Sequence, residues 1–230
     1  MTTEKDIGKL LVEISRNKAG GYIVTRPLSD TVDYAKVWPA KGSLDSKAIP
    51  DNVHAPDTFY FTSEKNKKYM AAVLVTENDL KWYLLPEYRK GNLFSTALKE
   101  TILPHILQHK PVQRMTLNRT VMGEKAFLSA RKIAVAAGFK LIREEEVLSL
   151  YAIEAASLEG KQYIPGINTG ITEARLQLMA SELKTMLQIL NIIKTEIEMK
   201  TGSWEYSMDY EEIIKNLRIR KSDLIQFKGS

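Results

Sequence analysis

The stretch KWYLLPEYRKGNLFSTALKE, residues 81–100, decides how this chain is read. Lys81–Leu85 is aromatic and aliphatic and reads as the end of a strand. Pro86 stops it, because proline has no amide to give to a ladder. Glu87-Tyr88-Arg89-Lys90-Gly91-Asn92 then forms a short basic loop, and from Leu93 onward the apolar residues follow helical spacing. The first amides of a helix have no partner within it and point outward, and the helix dipole adds positive potential there. A strand that passes through a basic, glycine-containing loop into such a terminus is suited to hold a diphosphate. Gly91 lets the backbone approach a ligand without a Cβ in the way, and Arg89 and Lys90 add charge beside it.

The elements on either side follow from periodicity and turn chemistry. Upstream, Thr58–Thr62 and Tyr69–Thr76 read as strands flanking the polar turn Ser63-Glu64-Lys65-Asn66-Lys67-Lys68. Glu77-Asn78-Asp79 turns the chain into a third strand, Leu80–Leu85, which completes an antiparallel meander. Further upstream, Ile7, Leu10, Leu11 and Ile14 predict an amphipathic helix within Thr2–Asn17, followed by a β-rich run over GYIVTRPLSD (21–30). Ser29 or Asp30 then reads as the N-cap of a helix through Val32, Ala35 and Trp38 that Pro39 ends. Residues 40–57, rich in Lys, Ser, Asp and Pro, read as a long loop. Downstream, the spacing predicts a helix from Leu93 to His109 kinked at Pro104 and a strand over Arg114–Val121. A helix over Glu124–Ala137, stopped by Gly138, and strands at Phe139–Arg143 and Val147–Ile153 complete the order. Antiparallel runs mixed with strand–helix–strand crossovers indicate an α+β sheet covered by helices.

Residues 81–100 resemble motif A of the GNAT acetyltransferase superfamily, whose pattern Q/R-x-x-G-x-G/A follows a strand. Pro86, Tyr88, Arg89, Ala97 and Leu98 stand at the matching positions. Ala137-Gly138-Phe139-Lys140 is similar to the end of that family's last helix, and Ile23–Asp30 to its first strand and turn. The resemblance covers Tyr22 to Ile153. It implies a GNAT-like, mostly antiparallel mixed sheet flanked by helices, binding an acyl-CoA such as acetyl-CoA. Backbone groups near Leu84 and Leu85 would pair with the pantetheine, and amides from Arg89 through Lys90, Gly91, Asn92 and Leu93 to Phe94 would surround the diphosphate. It also implies a carboxylate base, for which Glu77 and Asp79 stand in the right place, and a proton donor. Three positions depart from the family: Asn92 and Phe94 where it has small residues, and Ala134 where it often has the proton-donating Tyr. Tyr88 or Tyr151 would then supply the proton.

Beyond residue 156 the character changes. Residues 157–170, with three glycines and a proline, read as a linker between a domain at 21–156, preceded by the helix at 1–20, and a helical tail at 171–230. In the tail, Leu176, Met179, Leu183, Met186, Leu190, Ile193 and Ile197 follow 3-4 spacing, a heptad seam for self-association or for docking into an assembly. A shorter helix is predicted over 209–220, giving a helical hairpin or coiled-coil segment, with Trp204 and Tyr206 in the turn before it.

Bulk properties narrow the remaining possibilities. The 230 residues contain no cysteine, which excludes disulfides and thiolate chemistry and fits a reducing, cytoplasmic setting. No apolar run approaches the roughly 20 residues of a membrane span, and the N-terminus lacks a signal-peptide core. The net charge of +5 suits a phosphorylated cofactor, but no dense basic cluster points to nucleic acid. His105 and His109 share one helix face without a third ligand, so no metal is expected, and at the helix C-terminus a charged imidazole is favoured. His54 stands alone. Two roles follow: an acetyl-CoA-dependent N-acetyltransferase of unknown acceptor, or a non-catalytic GNAT-like protein without cofactor, docking through its C-terminal helices in a larger assembly such as a phage virion.

Overall fold

A computed structural model describes residues 4–15, 22–38, 56–64, 68–77, 79–89, 91–158 and 170–226. The chain divides into two compact units, Met1–Asn168 and Thr169–Ser230, and the architecture is α+β with antiparallel sheets and a long C-terminal helix pair.

The first unit opens with α1 (Glu4–Ser15) and continues into β1 (Tyr22–Ser29), β2 (Val32–Trp38), β3 (Asp57–Ser63), β4 (Tyr69–Val75) and β5 (Leu80–Leu84). These five strands lie in sequence order, each antiparallel to the next. Pro27 sits in β1, the edge strand, where a missing amide costs least. The helix predicted through Val32, Ala35 and Trp38 is instead β2, paired on both sides. The Thr31 N–H bonds Ser29 Oγ, so Ser29 and Asp30 make a hairpin turn rather than a helix cap. Once two ladders are available, Val32, Tyr34 and Val37 follow their preference for extended backbone.

Alternation along the strands sends side chains to two faces. On one face Phe59, Phe61, Ala72 and Leu74 pack against Ile7 and Leu11 of α1. That helix lies so close that a Cβ at Gly8 would meet the Tyr83 ring at 2.8 Å. On the other face Tyr60, Val73, Leu80 and Leu84 join one large core under the helices that follow β5. These are α2 (Leu93–Ala97), a π turn (Leu98–Ile102) and α3 (Leu103–Leu107). Just upstream of Pro104 the helix takes this wider turn, in which the Leu103 N–H reaches back five residues to Leu98 O. Pro104 has no amide for the carbonyl four residues before it, and a wider register just upstream accommodates that loss.

The same core continues beneath a second sheet of β6 (Val112–Asn118), β8 (Leu148–Glu154) and β7 (Lys140–Glu144), in that spatial order and all antiparallel. Between β6 and β7 run α4 (Arg119–Met122) and α5 (Glu124–Ala137). The strand predicted to reach Val121 ends at Asn118, whose side chain accepts the Val121 N–H and starts α4. Gly138, at φ 102°, closes α5 in the left-handed conformation that side chains resist.

The second unit is a pair of helices, α6 (Glu173–Thr201) and α7 (Met208–Gln226), the latter longer than the predicted 209–220. Thr172 Oγ1 accepts the Arg175 N–H at the start of α6, and Gly202 ends it at φ 66°. Lys194 pairs with Glu211 across the hairpin, and Ile214 is buried.

Candidate functional site

The hydrogen-bonded ladder stops at β5, and the next strand, β6, belongs to the other sheet. In an antiparallel pair, alternate residues turn both backbone groups to the same neighbour. The Leu85 N–H bonds Met70 O, so Leu85, Tyr83 and Lys81 face β4. Leu84, Trp82 and Leu80 therefore turn their backbone groups toward β6. At one end the two strands are clasped. Asp79 Oδ1 accepts the Leu80 N–H at 3.0 Å and the Thr116 N–H of β6 at 2.8 Å. Lys110 Nζ donates to Thr76 O at 3.1 Å and to Glu77 O at 3.3 Å. Toward Leu84 no hydrogen bond joins β5 to β6 among the described residues. The strands are tied at the Asp79 end and unpaired at the Leu84 end.

The loop after β5 lies at that unpaired end. Pro86–Tyr88 is a single 3-10 turn, with the Tyr88 N–H on Leu85 O. Tyr88 is half-buried against the large core. Arg89 Nε donates to Leu84 O at 3.3 Å, so this carbonyl on the β6 side already has one partner. Lys90 lies outside the described residues. The Gly91 N–H bonds Tyr88 O, and a Cβ there would meet only that oxygen at 3.9 Å. Asn92 has φ −93°, an ordinary value, so the loop does not require glycine at this position. The Asn92 side chain gives α2 no cap, which leaves the amides at Leu93 and Phe94 without that partner. Leu93 is exposed, whereas the Phe94 ring is 2% exposed and packs edge-on against Trp82 at 5.7 Å. The bulk at residue 94 is thus taken into the core and away from the loop. An uncapped helix start beside an unpaired strand edge can offer amides to an anion and backbone groups to an extended chain.

The candidate acids and bases are dispersed. Glu77 is exposed at the turn. Asp79 is spent on the clasp; burial raises its carboxyl above the usual carboxylate range, against the bonds from Thr116 and Leu80 and the charge of Lys81. Ala134 is buried in α5. Tyr151 is fully buried in β8, and its hydroxyl has no hydrogen-bond partner among the described residues.

One cluster is absent from the sequence reading. Register places Arg26, Tyr34, Tyr60, Val73 and Trp82 in a single row across all five strands. His105 of α3 lies over this row, 7% exposed, with Nδ1 2.7 Å from Tyr60 Oη and Nε2 3.4 Å from Arg26 Nη2. A guanidinium only donates, so Nε2 accepts and the ring proton sits on Nδ1, donating to Tyr60. Burial foremost, then the charges of Arg26 and His109, lowers the His105 pKa to about 4. The charged imidazole favoured at a helix C-terminus is therefore corrected for His105, where desolvation outweighs the dipole. No spacing in the sequence signals this group, because its members lie on six separate elements. His54 lies outside the described residues.

In the second unit, Leu176, Met179, Leu183, Leu190 and Ile197 of the predicted seam are half-buried, whereas Met186 is exposed and Ile193 borders on it at 36%. Ala180, Leu187, Asn191 and Lys194 are half-buried in addition.

Among the described residues no group of three or more His, Asp or Glu side chains could hold a metal ion, and no helix is long and apolar enough to cross a membrane. No family model matches the chain, and no curated protein matches it.

Proposed function

We propose that the first unit is a GNAT-like domain that binds an acyl-coenzyme A between β5 and β6, and that the helix pair of the second unit assembles the chain with itself or with a larger complex. The observation that carries the first reading is the interrupted ladder at β5, with the uncapped start of α2 immediately beyond it. Pantetheine amides would pair with the backbone of Trp82 and Leu84, the Leu84 carbonyl being shared with Arg89 or released by it. The diphosphate would meet the amides of Leu93 and Phe94, with Arg89 and Lys90 at hand. On this reading the activity is N-acetyl transfer to an unidentified acceptor, with Tyr88 or Tyr151 as proton donor and Glu77 nearer to free solvent than Asp79.

Titration calorimetry with acetyl-CoA tests the cofactor directly. Saturable binding at micromolar concentration is expected, weakened at least tenfold by Arg89→Ala together with Lys90→Ala. No heat at high micromolar concentration would sink it.

A second reading, a non-catalytic structural protein such as a virion component, is favoured by the engagement of Asp79 in the clasp and by the uncovered helix faces of the second unit. Acetyl-CoA binding without turnover over a panel of amines, or no binding with stable assembly, would decide for it. In the first case the protein keeps the cofactor site as a relic; in the second it keeps only the scaffold.

A further inference from the structure

We propose that the side of β1 and β2 facing α3 binds a small phosphate monoester, with Arg26 and Lys36 as its charged contacts and His105 as the residue that positions Arg26. The site lies at the far edge of the five-stranded sheet from β5 and does not depend on the acyl-coenzyme A reading.

Arg26 and Tyr34 are cross-strand partners, and Lys36, two residues on, turns to the same face. Lys36 Nζ lies over the Tyr34 ring at 5.5 Å and donates to Thr58 Oγ1 at 2.7 Å. The His105 ring also packs on Tyr34, at 5.0 Å between centroids. His109, four residues further, stands edge-on to His105 at 6.2 Å and is exposed. Lys110 beside it reaches Thr76 O, next to the Val75 that pairs with Thr58, so the chain advances from His105 toward the row that holds Lys36. Two cations and two imidazoles thus gather at one edge of the sheet.

No ion pair among the described residues includes Arg26 or Lys36. Asp33 and Asp57, the carboxylates of β2 and β3, alternate to the opposite face, where Asp33 accepts from the Tyr69 hydroxyl at 2.6 Å. The charges of Arg26 and His109 both act against protonation of His105. Beneath them the support is rigid: Tyr60 and His105 are almost wholly buried and bonded at 2.7 Å, and His105 Nε2 holds Arg26 Nη2 at 3.4 Å. Fixing a long cationic side chain costs rotamer freedom, and a neutral imidazole attracts it only weakly. An anion accepting from both cations supplies the missing attraction, and the contact with His105 leaves the other N–H groups of the guanidinium for it. Two permanent charges select a dianion. A phosphate monoester carries nearly two negative charges on one group, a carboxylate only one.

Titration calorimetry of the full chain with methyl phosphate should show saturable single-site binding in the low millimolar range or below. Arg26→Gln and Lys36→Gln should each weaken it at least tenfold with an unchanged circular dichroism spectrum, and acetate should bind the wild type at least tenfold more weakly. Methyl phosphate should also raise the His105 pKa from about 4, read from ring proton shifts assigned with His109→Gln. Arg89→Ala with Lys90→Ala should leave the phosphate affinity as it is. Loss of affinity in that double variant alone would move the anion to the loop after β5, which overturns this site and favours the acyl-coenzyme A reading. Acetate binding as tightly as methyl phosphate overturns the choice of a dianion. No saturation by methyl phosphate, or a His105 pKa that it does not move, removes the site altogether.

Discussion

His105 shows how one side chain can be given a chemical state by packing. Its imidazole is held neutral over the Arg26–Tyr34–Tyr60 row, with a pKa of about 4 against an ordinary 6.5. A base whose folded value is lowered binds fewer protons in the native state. Its contribution to stability is therefore whole above pH 6.5 and is lost as pH falls toward 4. The slope is about 1.4 kcal/mol per pH unit, about 3 kcal/mol over the window. Urea unfolding of wild type and His105→Asn at pH 7.5 and 4.5 measures this: the difference between the two proteins should shrink at the lower pH, and a constant difference would refute it. Tyr151 is the opposite case, a polar group for which packing supplies no partner. A buried, unsatisfied hydroxyl costs about 1–3 kcal/mol, so Tyr151→Phe should leave stability unchanged or raise it by about 1 kcal/mol. If Tyr151 donates the proton in acetyl transfer, the same variant loses turnover while binding acetyl-CoA normally, so unfolding and turnover measurements on one protein separate the two roles.

Among the elements, the clasp between β5 and β6 has the clearest consequence. Asp79 joins two sheets that share no ladder, through the amides of Leu80 and Thr116. Asp79→Ala strands both amides and should cost about 2–3 kcal/mol, with Thr116 losing its protection in amide exchange. Asp79→Asn keeps a carbonyl acceptor and should cost less than half as much. Equal losses for both variants would show that charge, not geometry, holds the clasp. The same comparison bears on catalysis: a general base fails when changed to Asn, whereas a structural acceptor mostly survives it.

For the molecule as a whole, the two units differ in how they bury their apolar surface. The first has two cores, one on each side of its five-stranded sheet, and the larger continues beneath the second sheet. In the second, no residue of α6 is fully buried, and α7 shields only part of it. A helix pair with so little buried surface gains stability from association, and association is linked to concentration. Calorimetric scans at concentrations a hundredfold apart should shift the transition belonging to the second unit upward at the higher concentration and leave that of the first in place. Two concentration-independent transitions would contradict the assembly role.

What the residues determine by themselves is local. The meander from Thr58 to Leu85 and the helix over Glu124–Ala137 closed by Gly138 are both legible, because turn and cap chemistry acts within a few neighbours. The candidate phosphate loop is legible for the same reason: strand, basic loop and helix start are consecutive. Only the tertiary structure decided β2, since Val32 and Ala35 fit helical spacing but lie on opposite faces of a strand, and only a sheet with a core on each side buries them both. It also decided the roles of Asp79 and His105, whose partners lie 37 and 79 residues away. The heptad seam is the most instructive case. Five of its positions are half-buried and two, Met186 and Ile193, are exposed, so a single seam in sequence is divided between a covered and an uncovered side. Spacing reports that a helix is apolar, but which side is covered depends on where the next helix lies.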